Sequence, residues 1–120
     1  VRTIRFEVRL DASLVKELAT TGLVAEGFQV TWRDERRAVA EQRPSFRKVL
    51  LFGAHVRYLR VDVTVLTKDD RTVLEFARPA IEWVGGPIAA WRSAATMERV
   101  LSRFEDAFDA EKVLLAVSEE

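Results

Sequence analysis

The chain predicts an α+β domain: a mainly antiparallel sheet of four or five strands, covered on one face by two helices, in a two-layer sandwich. Three observations carry that expectation. Residues 54 to 83 read as a long β-hairpin with one apolar and one polar face, because Leu59, Val61, Val63 and Val65 alternate with Arg60, Asp62 and Thr64. Ile4, Phe6, Val8 and Leu10 alternate with Arg5, Glu7 and Arg9, the pattern of a strand buried on one side. Ala90, Ala94, Met97, Leu101, Phe104 and Phe108 recur at spacings of three and four, the stripe of an amphipathic helix. The expected order is strand, helix, strand, loop, strand, strand, helix, in one domain over residues 1–120.

After the first strand, Asp11 and Ser13 offer oxygens for a helix N-cap. Leu14, Val15, Leu18 and Ala19 then follow at helical spacing. Gly22 is a possible stop, but Leu23, Val24 and Ala25 continue the pattern, so the helix is expected to run on to Gly27. Phe28, Val30 and Trp32 alternate with polar residues as a second strand. Residues 34 to 48 are polar, contain Pro44 and hold no sustained period, so they read as a long loop with room for a helical turn around Ala38, a length that is often functional. Val49, Leu50, Leu51 and Phe52 form a short apolar run that can open a third strand, with Gly53 at a bend.

The hairpin sets its own register. A two-residue turn at Asp69-Asp70 places Val65 opposite Leu74 and Val63 opposite Phe76 on the apolar face. Thr64 then meets Glu75 and Asp62 meets Ala77 on the polar face, and a slip of one residue destroys both matches. Beyond Phe76 the apolar parity reverses at Ile81 and Trp83, which predicts a bulge at Pro79, and the missing N–H of Pro79 predicts a sheet edge at that point. Gly85-Gly86-Pro87 breaks the chain and starts the last helix. Val113 to Val117 is a short apolar tail that fits a last helical turn, a final strand or a contact with a partner.

Composition narrows the function only by class. Nineteen basic and nineteen acidic residues give zero formal net charge, which favours neither nucleic acid nor a membrane surface. There is no cysteine, which removes disulfides and thiolate chemistry and fits a cytoplasmic or a periplasmic setting. No apolar run approaches the roughly 20 residues needed to span a bilayer. No signal peptide is read, since Arg2, Arg5 and Arg9 interrupt the start. The chain opens at Val1 rather than Met, as a processed form or an excised domain does.

The residues that bear chemistry are scattered. His55, the one histidine, has no metal-spaced neighbour and reads as a strand-end residue. Asp69 and Asp70 fall on a hairpin tip, and Glu105, Asp106 and Asp109 near a helix C-terminus, so both groups read as solvated charge. Gly85-Gly86-Pro87 lacks the Lys-Ser/Thr of a phosphate loop and the third glycine of a dinucleotide site. No cofactor, metal or catalytic residue is assigned. Two binding candidates remain. Trp32, Trp83 and Trp91 fall at the end of a strand, the end of the hairpin and the start of the last helix, points expected to converge at one end of the sandwich as the candidate lining of a ligand pocket. Arg33, Arg36, Arg37, Arg43, Arg47 and Lys48 give residues 33 to 48 a local excess of three positive charges, a candidate binding surface. Residues 105 to 120 carry an opposing excess of five negative charges.

The favoured expectation is a non-enzymatic binding or assembly module that uses the exposed sheet face or edge and the charged loop. Its partner is another protein or a second copy. The element order resembles, in topology alone, small accessory domains of bacterial envelope lipoproteins. The long last helix over an antiparallel sheet also resembles the helix-grip architecture of hydrophobic-ligand carriers. That likeness implies the alternative of an apolar small-molecule ligand held between Met97, Leu101, Phe104 and the hairpin. Nucleic-acid binding through the basic loop ranks last.

Overall fold

A computed structural model describes residues 2–42, 59–78 and 86–119. Their elements are β1 (Arg2–Val8), α1 (Ala12–Ala25), β2 (Gln29–Trp32), β3 (Arg37–Gln42), β4 (Leu59–Lys68), β5 (Arg71–Arg78), α2 (Gly86–Ala110) and β6 (Leu114–Glu119). The six strands form one antiparallel sheet in the order β2-β3-β4-β5-β1-β6. Both helices pack on the same face of it. The fold is therefore the expected α+β, with six strands where four or five were expected.

The two additional strands have different physical reasons. Part of the segment expected to be a loop with a helical turn around Ala38, Arg37–Gln42, is instead strand β3, paired with β2 on one side and β4 on the other. Its inward residues are Ala38 and Ala40, both buried. Alanine is a poor strand former, so this alternation is weak in the sequence and is supplied by pairing on both sides. The tail is the strand option, β6, which pairs with β1.

The β4–β5 register is the one the alternation demanded: Val65 faces Leu74, Val63 faces Phe76, Thr64 faces Glu75 and Asp62 faces Ala77. Asp69 takes φ +56°, the left-handed conformation that tight hairpin turns require at their first central residue. β5 is an interior strand through Arg78, flanked by β4 and β1, and the edge expected at Pro79 falls beyond it. Sheet edges are set by which strands fold back later in the chain, which no local pattern encodes. Pro79, like His55 and the 49–53 run, lies outside the described residues.

The core fills the space between sheet and helices. Ile4, Phe6 and Val8 of β1, Val61, Val63 and Val65 of β4, and Leu74 and Phe76 of β5 meet Val15, Ala19 and Leu23 of α1. From α2 come Met97, Val100, Leu101, Phe104 and Phe108. Phe76 and Phe104 lie 5.2 Å apart by ring centroid, Phe6 and Phe76 6.0 Å, and Phe6 and Phe108 6.0 Å. Such tilted and edge-on ring pairs add to the area they bury. The space beneath α2 at Phe104 is thus occupied by aromatic rings.

Each helix ends in the same hydrogen-bond pattern by a different residue. At the end of α1, Phe28 N–H donates to the Leu23 carbonyl at 3.0 Å and Gly27 N–H to the Val24 carbonyl at 3.0 Å. Gly27 has φ +91°, so the expected stop is met by the residue best able to adopt it. At the end of α2, Val113 N–H donates to Phe108 at 3.1 Å and Lys112 N–H to Asp109 at 3.0 Å. There the left-handed residue is Lys112, at φ +59°. Asp11 is the N-cap of α1, its carbonyl accepting from Val15 N–H at 3.0 Å, without a side-chain cap bond.

Candidate functional site

The first place to look is α1, because it is apolar on more than one side. Val15, Ala19 and Leu23 face the core. Leu14 and Leu18, four residues apart, are each 41% exposed. A surface helix normally spends its second face on polar residues, so this outer stripe is surplus to folding. It forms one wall of a groove between α1 and α2 with a volume of about 690 Å³. Leu10, Leu14, Leu18 and Gly22 line one side, and Val100, Phe104, Ala107 and Phe108 the other.

Gly22 lets a side chain of α2 reach the α1 backbone. A Cβ placed on it would sit 2.7 Å from the Phe104 ring. The glycine expected as a helix stop is instead a contact point, where an aromatic ring lies against helix backbone. Glu26, at the end of α1, closes one end of the groove. Its carboxylate is paired with Arg103 and, at 3.6 Å, with Arg99, both from α2. The Glu26 side chain is 9% exposed, while Arg99 and Arg103 are 55% and 67% exposed. Two guanidinium groups share one carboxylate there.

The second place is the pair of sheet edges, β2 and β6. Trp32 ends β2. Its indole N–H donates to Thr20 Oγ1 at 2.9 Å, and the Lys16 ammonium sits 4.4 Å from the ring centroid. The indole thereby ties β2 to α1. β6 has no comparable attachment along its outer side among the described residues. Leu115 and Val117 are 37% and 42% exposed, and Ala116 and Ser118 are exposed as well.

The sequence-based candidates are distributed as follows. Of the three tryptophans, the side chain of Trp32 is placed as above. Trp83 lies outside the described residues, and Trp91 is on α2 with its side chain outside them. Of the basic residues, Arg33, Arg36 and Arg37 are exposed at the β2–β3 turn, and Arg43, Arg47 and Lys48 lie outside the described residues. Asp34 organises that turn: its Oδ1 accepts from Arg36 N–H at 2.8 Å and Arg37 N–H at 2.9 Å. The Arg36 bond is the largest effect and desolvation, which opposes it, the second; the Arg37 bond and both guanidinium charges add to the first, so the carboxyl is held below its ordinary value.

Charges on the outer sheet face largely answer each other. Arg5 pairs with Glu75 at 2.8 Å, Arg60 with Asp62 at 3.4 Å, and Arg71 with Glu7 at 3.7 Å. These are separate, half-buried pairs at the solvent boundary, each worth little individually. Among the described residues, no three His, Cys, Asp or Glu side chains converge to hold a metal ion. No described helix is long and apolar enough to cross a membrane. The groove was the site that sequence reasoning missed, whereas the apolar tail at β6 is singled out in the sequence as a strand or a partner contact. The signal for the groove was present in the surplus Leu10, Leu14, Leu18 spacing.

No protein-family model matches the chain, and none of the curated proteins matches its sequence.

Proposed function

We propose that this chain is a non-enzymatic assembly module whose sheet extends by strand addition at β6, with a second copy of the chain as the added strand. The observation that carries the reading is the outer side of β6, where Leu115, Ala116 and Val117 are exposed on a strand paired only with β1 among the described residues. A bare edge presents unpaired N–H and C=O groups at strand spacing, a template for another strand.

Charge selects the occupant. Residues 114–118 carry no charge, so two copies meet without like charges at the centre. Antiparallel pairing about a two-fold axis through Ala116 sets Leu115 opposite Val117 twice, and Glu119 opposite Val113. Parallel pairing would stack Glu119 on Glu119, which destabilises. The two-fold axis stands perpendicular to the sheet, so both helix layers stay on one side of a continuous sheet.

Sedimentation equilibrium across a concentration series tests this. The expected result is a reversible dimer that Val117→Lys converts to a monomer, with thermal unfolding of the monomer changed by less than about 0.5 kcal/mol. A wild-type chain that stays monomeric at the highest concentration, or a dimer indifferent to Val117→Lys, overturns the proposal.

A further inference from the structure

We infer that the α1–α2 groove is a binding site for a single-chain amphiphile with an anionic head, its chain lying along Leu14, Leu18 and Phe104 and its head at Arg103 and Arg99. This goes beyond assembly at β6 and uses the other layer of the molecule.

Three observations converge on that chemistry. The groove is lined mainly by carbon, and its volume of about 690 Å³ falls within the range of sites that hold small molecules. Its lining runs between the two helices, with Leu14 and Leu18 one turn apart on α1 and Leu10 just before that helix along one wall. An extended chain follows that line better than a compact ring does. The third observation is the asymmetry of charge. At one end Arg103 and Arg99 face one carboxylate, Glu26, so one positive charge is in excess. At the other end stands Glu111, which repels an anion and orients the ligand. Both guanidinium groups are more than half exposed, and each offers five N–H donors, so they can hold Glu26 and an anionic head together.

The probes are dodecanoate and dodecanol, which share a chain and differ in the head. Each is titrated calorimetrically below its aggregation concentration. Dodecanoate is expected to bind saturably at one per chain, and dodecanol more weakly. Arg103→Gln should weaken dodecanoate about tenfold, the usual scale for a lost charge-assisted hydrogen bond, and leave dodecanol unchanged. Arg99→Gln gives the same pattern if the head is shared. Leu18→Asp should abolish binding of both, while Val24→Asp, on an exposed residue outside the lining, leaves both intact. Circular dichroism of each variant checks that it is folded.

Absence of saturable dodecanoate binding by the folded wild type overturns the inference. So does equal loss of both probes in Arg103→Gln, which would mean that the head is not recognised. Loss of dimerisation in Leu18→Asp without dodecanoate binding by the wild type would make the groove an interface between copies, and the inference fails. None of these results depends on Val117, so failure here and failure of the β6 reading are separable.

Discussion

The two edges of the sheet are closed in opposite ways. β2 is four residues long, its outward Gln29 and Thr31 are polar, and Trp32 anchors it to α1 through Thr20 and Lys16. β6 is six residues long, Leu115 to Val117 are apolar and exposed, and its protection is a bulge where it enters beside Val8. Short polar edges and bulges are the usual defences against unwanted pairing. β2 has two such defences together with an anchor, and β6 has one, confined to its first residues. From Ala116 to Glu119 the register with β1 is regular. The contrast teaches that, among the described residues, the two edges differ in length, polarity and side-chain attachment, with β2 the better protected against pairing.

The largest test of this contrast is to remove the anchor. Trp32→Ala is expected to cost about 2 kcal/mol, roughly half the loss for a fully buried tryptophan because this one is half-buried. The indole's contacts with Thr20 and Lys16 go at the same time, although the Thr20 hydroxyl keeps its bond to the Lys16 carbonyl at 2.8 Å. Urea denaturation measures the loss, and sedimentation should show an unchanged oligomeric state, because the wound is at the opposite edge. A dimer that falls apart in this variant would mean that the two edges are not independent.

A smaller effect sharpens the other side. Lys112 holds φ +59° at the turn that delivers the chain into β6, a conformation that costs a side-chain-bearing residue about 1 kcal/mol. Lys112→Gly should therefore raise stability by about 0.5 to 1 kcal/mol, although glycine also gains freedom in the unfolded chain. Thermal unfolding reads the sign directly. Destabilisation would show that the lysine side chain contributes more than its backbone conformation costs.

The smallest effect lies at the β2–β3 turn. Asp34 has a carboxyl pKa below its ordinary value of 3.8 in the folded state. The sign follows from linkage. A depressed folded pKa contributes stability above the unfolded value, and this is lost as pH falls through the folded value. Wild type and Asp34→Asn should therefore differ most above about pH 4 and converge below it. Asparagine keeps one oxygen acceptor, so the difference isolates charge from turn geometry. A gap in melting temperature that is constant from pH 7 to pH 2 would remove the electrostatic account.

Much of the fold was legible from periodicity. The β4–β5 register followed from matching Val63 and Val65 to Phe76 and Leu74, because a one-residue slip exposes the whole apolar set. The end of α1 followed from Gly27, since few other residues adopt its backbone conformation without strain. The end of α2 was less legible, because Lys112 does the same job without the residue type that announces it. β3 was read as loop, since Ala38 and Ala40 give too little contrast with Arg37, Glu41 and Gln42. The candidate site was legible only in part. The basic residues 33, 36 and 37 do share an exposed turn, but the groove appeared in the sequence merely as more leucine on α1 than one buried face can use.

Composition and alternation by themselves determined an α+β layer structure, because a two-residue period and a 3.6-residue period are properties of local geometry. They also determined which strand faces are apolar. Only the tertiary structure decided that β5 is central and β6 is an edge, because strand order depends on where the chain returns after α2. It alone brought Gly22 against Phe104 and Glu26 against Arg103, residues 82 and 77 positions apart in the sequence. Local periodicity carries no information about such distant pairs; they are fixed by the packing of two helices on one sheet.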